Sequence, residues 1–235
     1  MKKNIIQFIP SSEETSIVVP HPKPAKNYMP DWYKEIANPL HNGSVGIDEN
    51  GALENTNLKM CMPFLDTLTS GYIQETWCDI YFSQENNNLL YRYTTQPEIL
   101  SIREKSDLNV GQEYYNSELI WKTPWITKTP PGWSSLIVHP LNRFDLPFFT
   151  VSGIIDTDKF NHSSFGALPF YVKSSFQGII PAGTPMFQII PFERSKWVSE
   201  IKEFNNEVNR KKFHDVKRKF FGFYKHEMWV KKTYK

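Results

Sequence analysis

Only two cysteines, Cys61 and Cys78, occur in the 235-residue chain. Two thiols build neither a disulfide framework nor a cysteine-rich zinc site, so free thiols in a reducing cytoplasm are expected. Long apolar runs are missing as well. Nothing approaches the ~18 consecutive apolar residues of a membrane span, and no membrane partner is expected. The opening MKKNIIQFIPSSEETS carries a basic pair, but Gln7 interrupts its apolar run and Pro10 stops it, which is not the shape of a secretory signal. Neither His-x-Asp nor His-x-x-x-His occurs, so the ligand sets of non-haem iron and zinc hydrolases have no signature, and no metal site is expected. His139 and His162 read as hydrogen-bonded loop histidines. Ser135, His139 and Asp145 can be drawn as a triad, yet no Gly-x-Ser-x-Gly elbow positions the serine. No internal repeat emerges.

What is abundant points to a packed core. Aromatics make up 15% of the chain, with 17 Phe, 11 Tyr and 7 Trp, far more than a disordered segment carries. Seventeen Pro and 11 Gly, scattered along the chain, punctuate many short elements. The net charge of +2 hides an asymmetry. From Arg194 onward 13 Lys and Arg face 5 Asp and Glu, a net +8, while the preceding residues carry 14 against 20, a net −6. An acidic body thus precedes a basic tail.

Three parts are expected. Residues 1–60 read as a Pro-rich arm and loop, in which Pro20, Pro22, Pro24 and Pro30 keep the chain out of a sheet interior. Asp31 before WYKEI is placed to cap one helical turn. Residues 61–193 read as a β-domain, with strands expected at Tyr72 to Phe82, Leu89 to Thr94, Leu119 to Ile126, Trp133 to His139 and Phe148 to Ile155. The stretch PEILSIREKSDLNVGQEYYN between them reads as a loop with one short helix. Short strands at about ten-residue spacing, with Gly and Pro between, predict an antiparallel sandwich or barrel. The expectation is that strands near 133, 150 and 180 wrap into one closed sheet. In residues 194–235, Trp197, Ile201, Phe204, Val208, Phe213, Val216 and Phe220 recur at helical spacing, predicting one amphipathic helix, or two joined near Asn209, capped by Ser195 and ended at Gly222.

QGIIPAGTPMFQIIPF, Gln177 to Phe192, reads as strand, tight turn and strand, with Gly183 free to take a positive φ. Gln188 stands out among its apolar neighbours. Its expected task is to satisfy backbone groups at a barrel closure, ahead of gripping a substrate.

SGIIDTDKF, GALPFYVK and GIIPAGTPMFQIIPF together resemble the carboxyl-terminal half of the dUTPase and dCTP deaminase superfamily. The resemblance spans residues 130–194 and implies a β-clip type barrel. In that family a Gly-(Val/Ile)-Ile-Asp segment lines the deoxynucleotide sugar site, which Gly153, Ile154, Ile155, Asp156 and Asp158 match, while Gly183 and Gln188 match the closing hairpin. The departures are specific. Lys159 intervenes before Phe160, the Arg-Ser-Ser phosphate motif is replaced by HPLNRFDLPF with Arg143 as the obvious anion ligand, and Ile73 stands where a metal-holding Asp is expected. PAKNYMPDWYKEI, MCMPFLDTLTSGY, GWSSLIVHPLNR and the terminal MWVKKTYK also resemble uncharacterised proteins encoded by tailed bacteriophages.

These readings converge on a mainly β, cytoplasmic, non-catalytic binding or assembly protein without a cofactor. Asn142, Arg143, Asp156, Asp158 and Gln188 are its candidate ligand-binding residues, and no catalytic residue is assigned. The rival is a divergent deoxynucleotide hydrolase using Mg2+, since cleaving a phosphate needs metal and cationic clamps. Acidic body and basic tail favour a homo-oligomer or larger assembly through the C-terminal helix. Nucleic acid on the aromatic and basic tail is the less favoured partner.

Overall fold

A computed structural model describes residues 4–39, 43, 45–47, 53–86, 88–103, 108–160, 166–204, 206–207 and 224–235. Strands in the first half are Gln7–Pro10 (β1), Lys23–Pro24 (β2), Gly46–Ile47 (β3), Leu53–Glu54 (β4), Tyr72–Glu75 (β5), Ile80–Glu85 (β6), Asn88–Arg92 (β7) and Leu100–Arg103 (β8). The second half contributes Glu118–Thr123 (β9), Trp125–Lys128 (β10), Trp133–Val138 (β11), Phe148–Thr150 (β12), Gly153–Ile155 (β13), Gly166–Val172 (β14), Gly178–Ile180 (β15) and Pro185–Glu193 (β16). Their ladders are antiparallel and the fold is mainly β.

Two compact units divide the chain. One comprises Met1–Tyr28, Ser70–Arg194 and Tyr234–Lys235, and the other Met29–Thr69 and Ser195–Thr233. The first unit contains a five-stranded sheet ordered β13-β11-β16-β5-β2, a four-stranded sheet ordered β12-β14-β9-β8 and a three-stranded sheet ordered β15-β6-β7. Among the described residues no sheet closes on itself. The closed barrel expected from the sequence is therefore corrected: β11, β12 and β15, near positions 133, 150 and 180, belong to three different sheets.

These sheets share one apolar core. Ile137 and Ile189 enter from the five-stranded sheet, Leu119, Phe148 and Phe170 from the four-stranded, and Ile80, Phe82 and Ile180 from the three-stranded. At its centre Trp121 stacks on Phe170 with ring centroids 3.6 Å apart and planes at 5°, while Phe148 meets Trp121 edge-on at 5.3 Å. Such ring pairs add about 0.5–1.5 kcal/mol beyond the area they bury. The Trp121 indole N–H would be costly here without a partner, and it donates to Thr150 Oγ1 at 3.1 Å. Thr150 in turn donates to the Met186 carbonyl at 2.8 Å, so a polar thread links β9, β12 and β16 through the apolar interior.

Three predicted strands break in two. The strand expected over Tyr72 to Phe82 splits into β5 and β6, that over Leu119 to Ile126 into β9 and β10, and that over Phe148 to Ile155 into β12 and β13, each pair lying in different sheets. The expected hairpin at Gln177 to Phe192 also resolves differently, because β15 pairs with β6 while β16 pairs with β5 and β11. Two antiparallel ribbons therefore bend together at one place, where Thr76 stitches them. Its N–H donates to the Thr184 carbonyl at 2.8 Å, its carbonyl accepts from the Gly183 N–H at 2.8 Å, and its hydroxyl donates to the Pro181 carbonyl at 2.8 Å. Gly183 takes φ +85° at this corner, a conformation that glycine adopts without strain.

Helices begin where capping chemistry permits. Ser12 caps Glu13–Val18 (α1), accepting the Thr15 N–H at 3.1 Å, with Glu13 and Glu14 in the first turn. In the helix Asp31–Glu35 (α2), Pro30 holds the cap position without a side-chain bond, and Asp31 is the first helical residue. Met62–Thr69 (α3) accommodates Pro63 in its first turn, where a missing N–H breaks no helical bond. Within the second unit Tyr33 stacks on Phe64 at 5.8 Å, Lys59 Nζ lies 4.3 Å above the Tyr33 ring, and Asp66 of α3 accepts from Trp229 Nε1 at 3.0 Å and Lys232 Nζ at 2.6 Å.

The C-terminal helix is corrected over its first ten residues. Ser195 to Phe204 has no regular structure and Ser195 caps no helix there. An isolated amphipathic helix of this length is marginal without an apolar surface to cover, and here Trp197, Val198, Ile201 and Phe204 are 89%, 95%, 99% and 76% exposed. Asn206 and Glu207 are helical, and the rest of the predicted helix, residues 208–223 with its end at Gly222, lies outside the described residues.

Candidate functional site

The candidate residues gather at opposite ends of the β11–β16 ladder. Ser134 lies opposite Phe192 at one end, and Val138 opposite Gln188 at the other. Four residue steps along a strand separate them by about 13 Å.

At the first end, β13 runs into the turn after Ile155 and brings Asp156 and Asp158 against the end of β16. Asp158 accepts the Gly132 N–H at 2.8 Å and forms a two-pronged ion pair with the Arg194 guanidinium. Asp156 Oδ1 accepts from the Ser134 hydroxyl at 2.7 Å and from Arg194 at 3.1 Å. Arg194 completes its fork on the Trp133 carbonyl at 2.9 Å, and its own N–H donates to the Gly132 carbonyl at 2.8 Å. The guanidinium bonds, reinforced by the Gly132 N–H, hold the Asp158 carboxyl well below the usual carboxylate range. Beneath lies a buried hydroxyl chain in which Thr157 Oγ1 is 2.7 Å from Thr129 Oγ1 and 3.0 Å from Ser135 Oγ. This end is a charged clasp around the root of the C-terminal segment.

At the second end the ladder itself is held by neutral groups. Gln188, 1% exposed, accepts the Leu141 N–H on Oε1 at 2.9 Å and donates through Nε2 to the Ser70 carbonyl at 2.6 Å. Next to Ser70, Gly71 has φ +70°, and a Cβ there would lie 2.0 Å from the Ile189 carbonyl oxygen. His139 closes the loop that follows β11. Its Nδ1 accepts the Thr150 N–H at 3.3 Å, so Nε2 carries the proton donated to the Arg143 carbonyl at 3.1 Å. Burial pushes the His139 pKa down against the opposing hydrogen bond to the Arg143 carbonyl, with the Arg143 and Lys173 charges adding to the fall and Asp145 resisting it.

Arg143, the expected anion ligand, is engaged within its own loop. Its guanidinium grips Asp145 with bonds of 2.8, 2.9 and 3.1 Å and reaches the Tyr28 carbonyl at 3.2 Å. Asn142 occupies the left-handed position of the same loop at φ +60°. Asn142, Arg143 and Gln188 thus share one end, Asp156 and Asp158 the other.

Ser135, His139 and Asp145 make no triad, since Ser135 bonds Thr157 and Asp145 bonds Arg143. Among the described residues no group of three or more His, Cys, Asp or Glu converges in metal-holding geometry. The oxygens of Asp156 and Asp158 face the donors of an ion pair, a poor fit to the open oxygen set that Mg2+ takes. Burial pushes the Cys78 thiol up to about 11, which keeps it protonated and unreactive near neutrality.

Sequence reasoning missed Arg194 and Ser134 as members of this cluster. Arg194 reads in sequence as the first cation of a basic tail, and only the β11–β16 register places it above Ser134 and beside the turn after β13.

No family model matches the chain and no curated protein matches it. A search of solved structures finds the dUTPase of phage phi11 of S. aureus, at 11% identity and a TM-score of 0.27, covering 46% of this chain and 99% of that one. A mutant of the same dUTPase, described as revealing the coordination of a structural Mg(II) ion, matches at 12% identity and a TM-score of 0.26, covering 46% and 98%.

Proposed function

We propose that this chain is a non-catalytic β-scaffold that works through its surfaces, as a binding or assembly protein encoded by a tailed bacteriophage and acting in the host cytoplasm or the virion. One observation carries the reading: Arg143, Asp158 and Gln188, three of the residues best placed in sequence to hold a ligand, are engaged in internal bonds at two ends of a ladder about 13 Å apart. Reactive sites instead aim preorganised donors at a shared point where charge develops. The basic C-terminal region then serves self-association, and nucleic acid remains the less favoured partner. The phage origin rests on the sequence resemblance alone.

The test is a direct contest with the deoxynucleotide-hydrolase reading. Purified protein with Mg2+ and each deoxynucleoside triphosphate is expected to leave the nucleotide intact and to show no thermal stabilisation at millimolar ligand. Turnover above background, or a nucleotide-dependent rise in melting temperature that Asp156→Asn abolishes, overturns the proposal.

A further inference from the structure

We infer that residues 224–232 form a strap latched to α3 by Asp66, and that the strap, α2 and α3 open together as one piece while the first unit stays folded. Such opening holds whether the chain is a scaffold or a hydrolase.

Apolar stabilisation is unevenly divided between the units. Every buried member of the apolar core, from Tyr72 to Ile189, belongs to the first unit. Among the described residues of the second unit, the buried apolar side chains are Tyr33, Met62 and Leu68. Elements with so few buried apolar groups reach open states at lower free energy than a packed core, so their amides exchange ahead of global unfolding.

Rings and one carboxylate make the second unit a single piece. Tyr33 of α2 stacks on Phe64 of α3, and Trp32 meets Phe64 at 6.2 Å with planes at 67°, which ties the two helices together. The strap comes from the other stretch of chain in this unit, Ser195–Thr233. A turn in which the Trp229 N–H donates to the Tyr224 carbonyl at 2.7 Å shapes it. Both its indole and its Lys232 ammonium end on Asp66. Bonds to an ionised carboxylate are roughly twice as strong as neutral ones, so this one side chain couples strap to helix.

Opening also has fixed limits. At each passage of the chain from one unit to the other, the flanking residue of the first unit is pinned within its own unit. The Tyr28 hydroxyl donates to Glu75 at 2.7 Å, the Ser70 carbonyl accepts from Gln188, and Arg194 sits in its clasp. The Tyr234 ring meets Tyr72 edge-on at 5.9 Å, while the Tyr72 hydroxyl donates to the Lys235 carbonyl at 3.3 Å. Four pinned ends let the second unit open without pulling on the sheets, and they limit the chain entropy released.

Hydrogen exchange of the full chain, followed residue by residue by NMR at urea concentrations below the unfolding transition, tests this. The Lys34, Leu65 and Trp229 amides report α2, α3 and the strap. They are expected to share one opening with a smaller urea dependence than the β9–β14 amides. The joint strap substitution Trp229→Ala and Lys232→Ala should speed the α3 amides roughly ten- to a hundredfold, as should Asp66→Ala, with β9 and β14 unchanged. Ile189→Val in the core should speed the sheet amides several-fold and leave the strap alone. A common urea dependence for strap, helices and sheets overturns the inference in the native chain alone. So does a strap variant that leaves α3 unaltered, or an Asp66→Ala chain whose sheets lose protection.

Discussion

The two ends of the β11–β16 ladder solve the same problem with opposite chemistry. Each must fix a chain segment leaving the sheet. The Arg194 end does so with formal charges, Asp156 and Asp158 on one guanidinium, whereas at the Gln188 end the ladder itself is held by an amide, an imidazole and a glycine, with the Arg143–Asp145 ion pair set in the loop beyond it. A buried amide needs partners but carries no charge to desolvate, so its bonds resist salt and pH. An ion pair at the surface is screened and titrates. The Gln188 bonds are thus insensitive to salt, while the departure point of the C-terminal segment is held by an ion pair that salt can weaken.

The comparison can be broken at the neutral end first. Gln188→Leu leaves the Leu141 N–H and the Ser70 carbonyl without this partner, and unfolding by denaturant should show a loss of about 2–5 kcal/mol, unaltered by added salt. Gly71→Ala, which drives a methyl group into the Ile189 carbonyl at positive φ, should cost about 2–3 kcal/mol in the same assay.

Acid titration sharpens the contrast. The folded pKa of His139 is lowered, by burial before all else, so the unfolded chain binds its proton first. Stability from this site is complete above the unfolded value of about 6.5 and declines as pH falls below it. His139→Gln, whose amide can replace the neutral ring's bonds, should flatten that slope. Asp158, lowered chiefly by its bonds to Arg194, gives a second window: its contribution is complete above the unfolded value of about 4 and is lost at lower pH. Asp158→Asn should remove that lower step and, unlike Gln188→Leu, give a deficit that shrinks as salt is added. The smallest effect belongs to Phe144→Ser, at a side chain 84% exposed beside the neutral end, which should alter stability by no more than about 0.5 kcal/mol.

Strand positions were legible in the sequence because β-branched and aromatic runs between Gly and Pro announce them, as at Trp133–Val138 and Pro185–Glu193. Pairing was not. Whether Thr76 continues a strand or turns a corner depends on Thr184 and Gly183, more than 100 residues away, and no local pattern contains that partner. β8 has no such signal, because Leu100 and Ile102 sit in a polar stretch with the composition of a loop, although Leu100 is fully buried. The helix α1 had a readable signal, Ser12 ahead of two glutamates, that apolar periodicity alone passes over. For the candidate site, the backbone-satisfying task expected of Gln188 matches its observed bonds, while Asp156 and Asp158 acquire their partner only through the register of β16.

The shared corner at Thr76 limits how this chain can change length. A residue inserted between Pro181 and Thr184 would either undo the cross-ribbon stitching or advance β16 by one step. Because side chains alternate between faces, that step would turn Ile189 outward and Ile190 inward and remove Gln188 from Ser70 and Leu141. Variants that lengthen the chain should accordingly collect in other loops and spare these four positions.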